Sequence, residues 1–142
     1  ADCDSDAGNG CEVTLASSTA HCGACGNACV PANAVAACAM GTCAVATCTP
    51  GFGDCDGAVA NGCEVDTRSS AAHCGACGTA CPARPNATPA CVAAACGFTC
   101  ATGFADCDGV AANGCEVDTN NDRFNCTACG MVCNFCGSGV CI

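Results

Sequence analysis

A chain of 142 residues with 23 cysteines, three arginines, no lysine and a formal net charge of −10 rules against several protein classes at once. Its 51% hydrophobic content is mostly alanine and cysteine; Val, Ile, Leu and Phe fall below the roughly 20% at which an ordinary apolar core becomes doubtful, and Trp and Tyr are missing. The acidic balance argues against nucleic acid or an anionic membrane as partner, no run is apolar enough for membrane insertion as a helix, and the cysteine content marks a disulfide scaffold from an oxidising compartment.

Self-similarity organises what remains. Cys3, Cys55 and Cys107 are related by a step of 52 residues, as are Cys11, Cys63 and Cys115, then Cys22, Cys74 and Cys126, and so on through Cys25 and Cys29. The expected architecture is therefore a small disulfide-rich fold of three tandem cysteine-rich repeats, 1–52, 53–104 and 105–142, with short β-strands and turns, little helix and an elongated, rod-like array. The third copy lacks an eighth cysteine and is read as a shortened capping unit. Because the sequence begins inside a motif at Ala1, either a leader has been removed or a longer chain precedes it.

Each copy opens with an acidic segment, DCDGAVANGCEVD at 54–66 and DCDGVAANGCEVD at 106–118. Asn-Gly at 9–10, 61–62 and 113–114, with Asp-Gly at 56–57 and 108–109, signals turns around short strand-like runs such as 64–67. A C-x2-C-x3-C segment follows at Cys22, Cys74 and Cys126. The alanine-rich stretches 32–37 and 92–95 are too short and too interrupted for helices. Phe52 and Phe104 stand just before the next Asp-Cys, where packing on neighbouring disulfides is expected.

The D-C-D-G…N-G-C-E-V-D motif followed by H-C-G-A-C-G resembles the tandem cysteine-rich repeats of predicted secreted and cell-surface proteins of myxobacteria and related bacteria, and the resemblance covers all three copies. It implies an exported architecture and no particular reaction. The Cys, Gly-Phe, Cys arrangement between copies is similar to the closing segment of epidermal-growth-factor-like modules, though the full spacing of that family is not matched. The third copy departs at Asn125-Cys126-Thr127, where the histidine is lost, so the role of His21 and His73 reads as dispensable in one copy.

The C-x-x-C pairs invite metal or redox chemistry, yet Gly26, Gly78 and Gly130 stand where haem attachment needs histidine, and the spacing differs from iron–sulfur runs. Zinc ranks well behind disulfides, which account for every cysteine position with one assumption. The acidic residues cluster with the period: Asp2, Asp4, Asp6 and Glu12, then Asp54, Asp56, Glu64 and Asp66, then Asp106, Asp108, Glu116 and Asp118, accompanied by Asn9, Asn61 and Asn113. Their first reading is local, as side chains that hydrogen-bond backbone N–H groups and fix turns. Their second is calcium, a hard cation that takes six to eight oxygens, and calcium is the one cofactor the sequence suggests. The helix-loop-helix calcium loop is not matched, since no glycine stands sixth and the glutamate is eleventh from Asp54. Asn86-Ala87-Thr88 and Asn125-Cys126-Thr127 are formal glycosylation sequons, and Thr88 a candidate sugar carrier.

No repeated nucleophile, acid–base pair or phosphate loop appears, so no enzyme is expected. Twenty-three cysteines cannot all pair within one chain. If Cys48 and Cys100 reach forward to the next copy, the orphan is Cys3 or Cys11; if pairing stays inside each copy, it lies in the third. The functional expectation is a secreted structural protein that self-associates into an extracellular filament or surface fibre; the alternative is a calcium-dependent adhesive module presenting its repeats to glycans or a cell surface.

Overall fold

In a computed structural model that describes residues 1–6, 8 and 11–142, the protein is a small disulfide-rich fold without helix among those residues. Its regular structure consists of short antiparallel strand pairs. The chain divides into two compact units, Ala1–Thr67 with Ala76–Gly78 and Arg68–Gly75 with Thr79–Ile142.

In the first unit β1 (Ala34–Ala39) pairs with β2 (Thr42–Cys48), and β3 (Phe52–Gly53) with β4 (Val65–Asp66). In the second, β5 (Ala87–Val92) pairs with β6 (Ala95–Cys100), β7 (Phe104–Ala105) with β8 (Val117–Asp118), and β9 (Cys136–Gly137) with β10 (Val140–Cys141). Alanine is a poor strand former, so the hairpins owe their order to cysteine. Cys38 lies opposite Cys43, Cys91 opposite Cys96 and Cys136 opposite Cys141. Residues directly opposite project from the same face of a pleated pair, so each hairpin offers two sulfurs in one direction.

Those sulfurs bond to the preceding C-x2-C-x3-C segment rather than to each other. Cys22–Cys38 and Cys29–Cys43 staple the first hairpin, Cys74–Cys91 and Cys81–Cys96 the second, Cys126–Cys136 and Cys133–Cys141 the third. The middle cysteine of the segment reaches back to the acidic opening, as Cys3–Cys25, Cys55–Cys77 and Cys107–Cys129. The C-x-x-C pairs therefore never close on themselves. Cys48–Cys63 and Cys100–Cys115 reach forward into the following acidic segment, and Cys11 is left as the free cysteine among the described residues. Of the two pairings left open by the sequence, this is the forward-reaching one.

Sulfur takes the place of an apolar core. Among the described residues the buried hydrophobic positions are all cysteines, with Cys22, Cys63, Cys115 and Cys126 fully enclosed, while Val30, Met40, Val92 and Ile142 lie exposed. Thr67 and Thr119 are the buried polar residues among those described, and their N–H groups donate to the carbonyls of Gly51 and Gly103 at 2.9 and 2.8 Å, closing β3–β4 and β7–β8.

The forward bridges sit in a repeated nest. Cys63 N–H donates to Ala32 O at 2.8 Å and the Asn33 amide donates to Cys63 O at 3.1 Å; Cys115 N–H donates to Pro85 O at 3.0 Å and the Asn86 amide to Cys115 O at 3.0 Å. Asn33 and Asn86 both hold left-handed backbone, with φ of 48° and 50°, a conformation asparagine tolerates better than most residues. Gly62 and Gly114 bring their backbones against Ala32 and Pro85 so closely that a Cβ on either would overlap the facing carbonyl oxygen. The Asn-Gly pairs singled out as turn signals therefore also admit the entering hairpin; the pair at 9–10 lies outside the described residues.

Candidate functional site

The acidic opening is the feature with most chemistry, and its geometry is set by backbone N–H groups. Asp54 Oδ1 accepts from Gly57 N at 2.7 Å, Asp56 Oδ1 from Ala58 N at 2.8 Å, and Glu64 Oε1 from Cys55 N at 3.0 Å. The third copy repeats this with Asp106 and Gly109, Asp108 and Val110, and Glu116 and Cys107, at 2.7, 2.8 and 2.9 Å. In the first copy Asp2 accepts from Ser5 N, Asp4 from Asp6 N and Glu12 from Cys3 N. Ser5 stands where the others have glycine and holds left-handed backbone at φ 64°, against 75° for Gly57 and 71° for Gly109.

These bonds draw one carboxylate oxygen from each of three side chains into a group. Asp2, Asp4 and Glu12, then Asp54, Asp56 and Glu64, then Asp106, Asp108 and Glu116 each place their oxygens within 4.8 Å of one another. Not every acidic residue of the sequence pattern joins them. Asp6 accepts from Gly8 N, Asp66 lies opposite Phe52 in β4, and Asp118 accepts from Asn120 N and the Asn121 amide. Asn61 and Asn113 turn their amide nitrogens, not their oxygens, toward Asp56 and Asp108 at 2.9 and 3.0 Å. Asn9 lies outside the described residues.

The same bonds hold carboxyls ionised. Ala58 N–H, followed by the Asn61 amide, lowers the Asp56 pKa below the usual 3.8; Val110 N–H and the Asn113 amide do so for Asp108. The Asn125 amide and then Phe124 N–H lower Asp122, an acidic residue outside the repeating set. Three carboxylate oxygens at each opening would be about half of the six to eight that a calcium ion takes. The sulfur triads Cys22, Cys29, Cys43 and Cys74, Cys81, Cys96 also converge within 4.8 Å, but every member is in a disulfide and offers no thiolate to zinc.

One sequence expectation is corrected. The histidine position is not dispensed with in the third copy but refilled, because Gly26 N–H donates to His21 Nδ1 at 2.9 Å and Gly130 N–H donates to Asn125 Oδ1 at 2.8 Å. Any acceptor of the right reach closes this turn. Both sequon asparagines are engaged in the fold, since the Asn86 amide holds Cys115 O and the Asn125 amide holds Asp122. The anchoring role of Asn33 and Asn86 is not apparent in the sequence, where only their position before each hairpin hints at it.

Comparison with protein-family models, with curated proteins and with solved structures returned no match.

Proposed function

We propose that this is a secreted structural protein, a disulfide-stapled repeat rod that forms or decorates an extracellular filament or surface fibre and carries no catalytic activity. The observation that supports it most is the forward bridge. Cys48–Cys63 and Cys100–Cys115 tie each repeated segment to its successor by a covalent bond, so the array resists separation. Stable disulfides in this number belong to an oxidising environment, which fits export to the cell exterior. Electron microscopy of the native material tests the reading: filaments or fibres support it, and only discrete short particles at high concentration overturn it.

The converging carboxylates favour a second reading, a calcium-dependent adhesive module of a larger cell-surface protein that presents its repeats to glycans. Titration calorimetry with calcium separates the two. Saturable heat that is lost in Glu64→Gln and Glu116→Gln supports the second reading; heat no larger than that of non-specific screening leaves the carboxylates as turn-fixing groups.

A further inference from the structure

Cys11 occupies the repeat position of Cys63 and Cys115, and those two are fully buried, each bonded to a cysteine fifteen residues earlier in the chain. Around each occupied copy the same acceptors and donors recur: a carbonyl receives the cysteine N–H, a left-handed asparagine donates to the cysteine carbonyl, and a glycine leaves room for the approaching backbone. The first copy carries the same Asn9-Gly10-Cys11-Glu12 sequence as Asn61-Gly62-Cys63-Glu64 and Asn113-Gly114-Cys115-Glu116. Glu12 already makes its repeat contact with Cys3 N at 2.8 Å. What Cys11 lacks is the hairpin that its two counterparts receive, and it is exposed where they are enclosed.

We infer that Cys11 is a cross-linking site for the hairpin of a further cysteine-rich unit in the same polypeptide, whose last cysteine stands fifteen residues ahead of Cys11. A second copy of residues 1–142 does not fit as donor. Its other cysteines are all bonded, so it offers only its own Cys11 and no free hairpin cysteine. Bond formation joins two thiols as S–S, and the two protons and two electrons pass to a small-molecule or enzyme disulfide, which is reduced to two thiols. The inference holds whether the assembly is a filament or an adhesive array, because it depends on the repeat nest and not on either assignment.

Two measurements test it. Non-reducing peptide mapping of the polypeptide from its native source, alkylated before lysis, should recover Cys11 linked to an upstream cysteine outside residues 1–142. Recovery as an alkylated thiol, or as a Cys11–Cys11 dimer, overturns the inference. A fusion that repeats residues 1–52 ahead of Ala1, with Cys11→Ser in the added copy, places that copy's counterpart of Cys48 fifteen residues before Cys11. Native-state alkylation should fall from one label per chain in the unmodified protein to none in the fusion. Retention of the label at Cys11 in a fusion whose other bridges have formed overturns it, and if those bridges fail to form, the native mapping decides.

Discussion

Left-handed backbone is where single residues of this protein carry measurable cost. The β5–β6 turn places Ala93 and Ala94 at φ of 51° and 65°, whereas the matching turns use Met40-Gly41 and Ser138-Gly139. Two positive φ values in a two-residue hairpin loop favour glycine or asparagine, and an alanine there costs about 1 kcal/mol. Ala94→Gly should therefore stabilise the protein by about 1 kcal/mol, read as a higher denaturation midpoint under non-reducing conditions. The acceptor at position 21 gives a second expectation. His21→Asn should be close to neutral because Asn125 does the same work in the third copy, while His21→Ala should cost about 1 kcal/mol by stranding Gly26 N–H. Acid acts on the carboxylates that hold turns. A lowered folded pKa contributes stability that is complete above the usual 3.8 and lost as pH falls through the folded value. The amides of Ala58, Val110 and Phe124 should accordingly keep their hydrogen-exchange protection down to the usual carboxylate value of 3.8 and lose it only at more acid pH, and Asp56→Asn should weaken the Ala58 amide already at neutral pH.

At the level of elements, the recurrent cysteines made the disulfide scaffold, the short strands and the acidic turns legible in the sequence, but not the hairpins. Alanine at 34, 36, 37 and 39 shows no alternation of apolar and polar residues, and the turn at Ala93-Ala94 contains none of the usual turn formers. The usable signal is C-x4-C, present at Cys38, Cys91 and Cys136, which puts two cysteines opposite each other across a two-residue turn. The register shift between Val35 and Ala36 explains another irregularity of spacing. Four residues lie between Cys43 and Cys48 but three between Cys96 and Cys100, and the extra one is absorbed as a bulge in the first hairpin. Which sulfur bonds to which was illegible because spacing alone leaves many pairings open. Removing a forward bridge by Cys48→Ser with Cys63→Ser should cost about 2–5 kcal/mol and free the Asn33 contact, seen as a lower thermal midpoint with the other bridges intact by mass.

For the molecule as a whole, cysteine fills every buried hydrophobic position among the described residues, so reduction removes both the cross-links and the reason for burial. Strong reductant should abolish the near-native circular dichroism signature and raise the alkylatable thiol count from one to 23 per chain. The three acidic openings spread twelve of the thirteen acidic residues along the sequence.

The replacement of aliphatic bulk by sulfur also changes how the protein meets temperature. Heat-capacity change on unfolding comes mainly from newly wetted apolar surface, and here Val30, Met40, Val92 and Ile142 are wet from the start. Calorimetry should give an increment well below the usual ~12–15 cal/mol/K per residue. The resulting free-energy curve is shallow, so that cooling and warming alike alter the balance only slowly and cold offers no route to collapse.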